Sequence, residues 1–393
     1  MLQTTLLVGT VGLCAPPPLS RRVVLRGAQP LAALSRPAVA QRSAVSCSTV
    51  DYRSTTVTAG TAVDYRSTTV TVGTAAVPVS IWSPPSASSS VTPLSYDYRI
   101  DLGRIAAKLK VGWLGWLPAK SYKLACAGAA APEAPTAKPG DAILFTHGFL
   151  GSRFDMAHVC EALAAAGFTV LAPELPESLA ASFTPDGEAG SRAAIVAATR
   201  SQLLPDAQRW GVFGHSAGAG TVLTLGGAYA LGRAALAPGF RGFDGDDPLF
   251  LVSSEADGCD QLLKSSGVDI AESIEADAKM GRPTDIVADP RLAFAGSAGA
   301  ARRCALLYSP TLSTRLAQEG APLPCHISFL WEGVNDAMID FLAPLLPLAK
   351  GLGLFVLDFD VYMAQRDSAR VADDLVPALL RFYGRSAAST DET

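Results

Sequence analysis

Gly214-His-Ser-Ala-Gly218 has the spacing G-x-S-x-G, a serine on a tight turn with glycines two residues to either side. Between a strand and a helix, such a turn strains the serine backbone and lifts its hydroxyl out of the sheet. The glycines remove the clashes that any side chain would make there. The neighbouring residues fit that context. Trp210-Gly-Val-Phe-Gly214 reads as a short apolar strand, and Ala217 to Leu225 as a helix packed against it. A hydroxyl presented this way suits nucleophilic acyl transfer, which also needs a base, an acid to orient that base, and two amide donors for the oxyanion. Upstream, Thr146-His-Gly-Phe-Leu-Gly151 directly follows a buried strand. Its His147-Gly148 turn places a backbone N–H beside the elbow, which makes Phe149 and Ala217 the expected oxyanion donors. His147 itself is expected to be a structural residue of that loop.

The acid and the base are harder to place. Asp257, just past Leu249–Ser254, is the chosen acid, with a solvated loop aspartate as the competing reading. The chain has four histidines, at 147, 158, 215 and 326. His158 falls in the first helix and His215 is the variable position of the elbow. His326 opens His326-Ile-Ser-Phe-Leu-Trp331, read as the last strand, whereas sites on parallel sheets lie at the carboxyl ends of the strands. Six residues of strand would separate the two ends by roughly 16–20 Å. A structural His326 is therefore expected. The loop after it, Glu332 to Ala337, holds Asn335 and Asp336 where the base belongs. Neutral-pH activation of Ser216 then falls to Asp336 or Asp257, poor bases unless burial raises their pKa.

The elements that must hold these residues alternate strand and helix from Asp141 onward. Strands are expected over 142–146, 168–172, 210–214, 248–254 and 326–331, and helices over 153–166, 191–204 and 371–383. That alternation means a parallel sheet covered on both faces. Ahead of it, Thr68–Val72, a Gly73-Thr74 turn and Val77–Trp82 read as an antiparallel hairpin at the sheet's edge. Residues 260–324 carry Gly/Pro breaks and read as a cap inserted in the domain.

Length, composition and charge bound the rest. The chain has 393 residues, 49% apolar and 17% charged, with a net charge of −4. A large core is possible, and no basic stripe suggests nucleic acid. Seven cysteines are scattered with no metal-ligand spacing, so reduced thiols and no metal are expected. Residues 1–50 hold Arg21, Arg22, Arg26, Arg36 and Arg42 and no acid before Asp51, the composition of a plastid transit peptide. The segment from Val50 to Ala62 recurs almost unchanged from Val63 to Ala75, a local duplication. The expected organisation is therefore a leader over 1–50, a duplicated flexible segment over 51–67, the domain over 68–384 and a disordered tail over 385–393. Trp113 and Trp116, near Lys108, Lys110 and Lys120, either pack on the domain or touch a membrane surface.

From Ile143 to Tyr383 the chain resembles α/β-hydrolases of the group that contains chlorophyllases and platelet-activating-factor acetylhydrolases. The resemblance rests on Phe145-Thr-His-Gly-Phe-Leu, Ala166-Gly-Phe-Thr-Val-Leu-Ala-Pro, Gly214-His-Ser-Ala-Gly and Pro248-Leu-Phe-Leu-Val-Ser-Ser-Glu. It implies an α/β-hydrolase fold: a mostly parallel sheet with helices on both faces, the antiparallel hairpin and a cap. It also implies a carboxylic-ester hydrolase acting on apolar substrates, lipid-like or chlorophyll-like, without a cofactor. Ser216 matches the nucleophile, and Phe149 and Ala217 the oxyanion positions. The alternative is a protein of this fold without the histidine, which binds an apolar ligand or a partner.

Overall fold

Gly73, with φ +59, makes the turn that pairs β1 (Asp64–Val72) with β2 (Ala75–Ser83), antiparallel, with Asp64 opposite Ser83. The expected hairpin is there, and its first strand starts inside the second copy of the duplicated segment. The computed structural model describes residues 63–86, 93–108, 112, 115–126, 137–179, 190–238, 243, 245–259, 284–294, 303–312, 314–351 and 358–388. The leader, the first copy of the repeat, Trp113, Asp244 and the tail beyond Ala388 lie outside them.

Four anticipated strands and one not anticipated form the parallel body: β5 (Asp141–Thr146), β6 (Thr169–Pro173), β7 (Arg209–His215), the unanticipated β8 (Gly232–Leu236) and β9 (Leu249–Ser254). With β10 (Thr284–Val287) and β11 (Arg303–Tyr308) they give the order β1-β2-β6-β5-β7-β8-β9-β11-β10. Among the described residues of this sheet, the β1–β2 and β2–β6 pairings are antiparallel and the others parallel. Alternate residues of each central strand enter different apolar clusters. Ile143 and Phe145 face the cluster under α2 (Ala157–Ala165) and the C-terminal helix Ser368–Ala388. Ala142 and Leu144 face the one under α3 (Arg192–Leu203) and α4 (Ala217–Thr224). Burial on both faces is why these strands read as unbroken apolar runs rather than as alternating ones.

Two expectations need correction, and one sheet was not anticipated. Residues 260–324 are not wholly a cap: β10 and β11 lie in that stretch, and β11 pairs in parallel with β9 over its whole length. The expected strand over His326–Trp331 is a 3-10 turn, His326–Phe329. Its backbone bonds are made locally, Ser328 N–H to Cys325 O (3.0 Å) and Leu330 N–H to Ile327 O (3.1 Å), and the Ser328 hydroxyl accepts from Cys325 N–H (3.0 Å). Finally, a second sheet pairs β3 (Leu94–Asp101) with β4 (Ala119–Cys126), joined through α1 (Leu102–Lys108). Tyr96, Tyr98 and Ile100 of β3 are buried in the main core, and Tyr96 accepts from Trp82 Nε1–H (2.7 Å) and donates to Glu161.

Strand β8 carries a buried arginine. Arg233 donates through Nη1 to Val222 O (2.7 Å) and Leu225 O (2.8 Å), through Nη2 to Gly227 O (2.8 Å) and through Nε to Asp247 Oδ2 (2.7 Å). The fork thus satisfies carbonyls that the end of α4 leaves without intrahelical partners. Arg233→Met should strand those carbonyls and the Asp247 carboxylate. A loss of about 3–5 kcal/mol in unfolding free energy is expected by chemical denaturation, and an unchanged midpoint would contradict this account of β8.

Candidate active site

Ser216 stands between β7 and α4 with φ 57° and ψ −122°. A non-glycine residue there costs on the order of 1–3 kcal/mol and persists only when its surroundings over-determine it. They do so here. Ser216 N–H donates to Leu236 O at the end of β8 (2.9 Å), and Thr146 Oγ1 donates to Gly218 O (2.9 Å). Gly218 has no room for a side chain: a Cβ would lie 1.9 Å from Thr146 O. At Gly214 a Cβ would lie 2.3 Å from Thr146 Oγ1 and 2.6 Å from the Gly218 carbonyl. Both glycines of the motif are thus demanded by the contact between β5 and the elbow helix.

The His147–Gly151 loop lies against the elbow, since a Cβ on Gly148 would stand 3.3 Å from the Ser216 Cβ. His147 is buried, accepts from Leu175 N–H at Nε2 (2.8 Å) and donates from Nδ1 to Gly148 O (2.8 Å). Burial, with Arg192 nearby, lowers its pKa to about 3. It is therefore a neutral brace, and its 3.6 Å approach to Glu174 is not an ion pair. Arg192 fixes the same loop by donating to His147 O (2.8 Å). Phe149 is half-buried, and Leu150 turns the chain with φ +59. Ala217 opens α4, where the first N–H groups have no intrahelical partner.

The 3-10 turn changes the reading of His326. It follows β11, not a strand of its own, and its ring meets the loop after β9. His326 Nδ1 stands 2.9 Å from both Oδ1 and Oδ2 of Asp257, and both side chains are buried. Burial alone would depress an imidazole, but the Asp257 charge and hydrogen bond outweigh it and hold His326 well above the ordinary histidine value. Burial would also raise Asp257; His326 and the Cys259 N–H bring it below the ordinary aspartate value. With Nδ1 committed, His326 Nε2 is buried and has no hydrogen-bond partner among the described residues. The Ser216 hydroxyl does not bond it in this structure. The residue before Ser216 does reach the turn: His215 donates from Nε2 to His326 O (2.9 Å), and the two ring centroids lie 4.7 Å apart with the planes tilted by 47°. Burial and the His326 charge keep His215 neutral, with a pKa of about 3.

Other residues hold the pair in register. Asp358 Oδ2 accepts from Gly258 N–H (2.8 Å) and His326 N–H (3.0 Å), tying the two loops to each other. Asn335 is buried and donates to Ile327 O (2.7 Å), so it braces the turn and does not replace a histidine. Asp336 points the other way. Its side chain is 51% exposed and ion-paired with Arg366, which makes it a solvated surface acid rather than a buried base. Asp247, in the turn before β9, is committed to Arg233 and Tyr229 N–H. Two signals could have located the histidine. Cys304-Ala-Leu-Leu-Tyr308 is a buried-strand run ended by Ser309-Pro310, and Pro324 precedes the turn.

No family model and no curated protein matches this chain. Solved structures similar to it include a ferulic acid esterase from Streptomyces cinnamoneus, at 17% identity over 55% of this chain and 70% of that one, TM-score 0.31. An esterase from Pyrococcus furiosus is 14% identical over 66% of this chain and 87% of its own, TM-score 0.31. A dienelactone hydrolase from Anabaena variabilis is 13% identical over 66% and 95%, TM-score 0.30. The fold itself is carried by the strand order. An antiparallel edge hairpin followed by β6-β5-β7-β8-β9-β11 in parallel, with a serine elbow after β7, is the α/β-hydrolase fold.

The two kinds of glycine in the elbow helix give a matched test. Gly218→Ala should cost about 3 kcal/mol or more, because backbone atoms cannot retreat from the new methyl. Gly220, two residues on, has open space around its Cβ position. Gly220→Ala should be neutral or stabilising by up to about 1 kcal/mol. Thermal denaturation of the two variants separates them, and equal effects would contradict the packing described.

Proposed function

We propose that the chain is a serine hydrolase of carboxylic esters. The observation that carries the reading is the buried His326, with Nδ1 given to Asp257, Nε2 unpartnered, and its turn bonded to the residue before Ser216. In this mechanism the Ser216 hydroxyl attacks the ester carbonyl and His326 Nε2 takes its proton. Asp257 holds the Nδ1–H tautomer and stabilises the imidazolium that forms. The Phe149 and Ala217 N–H groups face the tetrahedral oxyanion. His326 then returns the proton to the departing alcohol, leaving an acyl-Ser216 that water removes by the same steps in reverse order. In this mechanism the hydrogen bond between Ser216 and His326 is made in the substrate complex, since catalytic hydrogen bonds often form fully only there.

The histidine-free binding protein loses its premise, because His326 and not Asn335 or Asp336 meets the acid. For the substrate we propose an apolar, lipid-like or chlorophyll-like ester, supported by the motifs shared with that group. The acid-free, arginine-bearing first fifty residues support a plastid address. Trp116, 75% exposed, is available for a membrane surface.

Two measurements test the reading. Turnover of a short-chain activated ester by the full chain should fall by about 10⁴–10⁶ in Ser216→Ala; equal rates in both proteins would sink it. The second is the pH profile. His326 acts as base only when neutral, and Asp257 raises its pKa, so kcat/KM should climb with pH through an inflection above about 6.5. In Asp257→Asn that upward pull is gone: the inflection should move to lower pH while the plateau falls by about 10⁴. An inflection that stays in place would remove Asp257 from the mechanism.

A further inference from the structure

Cys259 lies two residues past Asp257 and against the His326 ring. Its backbone N–H donates to Asp257 Oδ1 (2.8 Å), and its thiol interacts with the imidazole. One ligand atom from each of Asp257, Cys259 and His326 lies within 4.8 Å of the other two. Asp257 and His326 are buried and Cys259 is half-buried. The ring's other nitrogen, Nε2, is buried and has no hydrogen-bond partner among the described residues, so the imidazole has a lone pair to give whichever nitrogen faces the ion.

A carboxylate, a thiolate and an imidazole form a mixed oxygen, sulfur and nitrogen donor set. Hard cations such as magnesium and calcium avoid thiolate, whereas zinc takes all three donors and leaves a fourth position for water. The charges also balance. A divalent ion with one thiolate and one carboxylate carries no net charge, which is what a largely buried site tolerates. We propose that Asp257, Cys259 and His326 bind zinc, and that zinc bound there switches the hydrolase off. The binding stands by itself, whereas the inhibition rests on the mechanism given under Proposed function.

The proton accounting explains the inhibition. As the sulfur–zinc bond forms, the Cys259 thiol releases its proton to solvent. Zinc takes only the neutral imidazole, so a second ring proton, where present, also leaves to solvent. If His326 then binds through Nδ1, the one remaining ring proton sits on Nε2, the bond to Asp257 breaks, and the carboxylate turns to the metal. Nε2 then carries a hydrogen and cannot accept the Ser216 proton. If His326 binds through Nε2, the metal takes the catalytic lone pair itself. Either way the base is lost until the metal leaves. The spacing of cysteines could not announce this site, because His326 arrives from a distant part of the chain.

Cadmium serves as the spectroscopic probe for zinc, read by near-ultraviolet thiolate-to-cadmium absorption on the full chain with its thiols kept reduced. The wild type should develop this band with one equivalent of cadmium and lose it on adding zinc. Cys259→Ser should lack that band, and its zinc affinity, measured against a chromophoric chelator, should be at least about tenfold weaker. Zinc should also slow labelling of Ser216 by a fluorophosphonate in the wild type, reversibly with chelator, and leave Cys259→Ser labelled at its metal-free rate. A band and affinity unchanged in Cys259→Ser would overturn the site. A band present with labelling indifferent to zinc would overturn the inhibition alone. A band present with no labelling under any condition would remove the hydrolase reading and leave the metal site.

Discussion

Burying a carboxylate beside an imidazole is costly unless the two are held in close, well-directed contact, and much of this structure is organised around meeting that condition for Asp257 and His326. The ring nitrogen lies 2.9 Å from both carboxylate oxygens, the Cys259 N–H steadies one of them, and Asp358 clamps the two backbones. The partners arrive from far apart in the chain. Asp257 comes from the loop after β9 and His326 from a turn after β11, so the right half of the sheet must be complete before they can meet. Removing His326 would leave the Asp257 carboxylate buried without its charge partner, at a cost of about 3–5 kcal/mol, whereas without Asp257 burial would hold the imidazole neutral. The pair is therefore both a product of the fold and one of its obligations.

The serine is positioned by a different kind of constraint. At the elbow the controlling quantity is space: Gly214 and Gly218 let β5 and α4 approach until Thr146 bonds the Gly218 carbonyl. Ser216 keeps its strained backbone because that contact and the Leu236 carbonyl leave it no alternative. The His215 ring links the two constraints, donating to His326 O while its own burial keeps it uncharged. A steric device and an electrostatic one thus converge on neighbouring residues, and neither depends on the details of the other.

Legibility followed the range of the interactions. The elbow, the His147 loop and the hairpin were plain in the sequence because their signals are local: glycine spacing, a turn residue, an apolar run. Asp257 was singled out as the residue just past a clear strand, and the structure sets it against His326. Strand β8 was missed because Arg233 interrupts a five-residue run, and only the folded chain shows that its charge is met by three carbonyls and Asp247. The alternation Leu94-Ser-Tyr-Asp-Tyr-Arg-Ile-Asp101 announces β3, yet its partner lies beyond an intervening helix. The misplacement of His326 had one origin. Ile327, Phe329 and Trp331 alternate as a strand would, while the Ser328 hydroxyl bonds that close the turn are invisible to periodicity. Taking that turn for the last strand hid β11 and left Asp336 to fill a role that its exposed pairing with Arg366 does not suit.

The central claim is that Ser216, His326 and Asp257 act as one unit. The most direct test is the kinetic cycle of Ser216→Ala, His326→Ala and the double variant with an activated ester, each checked for native folding. Residues that act as a unit lose their effect once, so the double variant should be no slower than either single one. Full activity in His326→Ala, or losses that multiply in the double variant, would contradict the account.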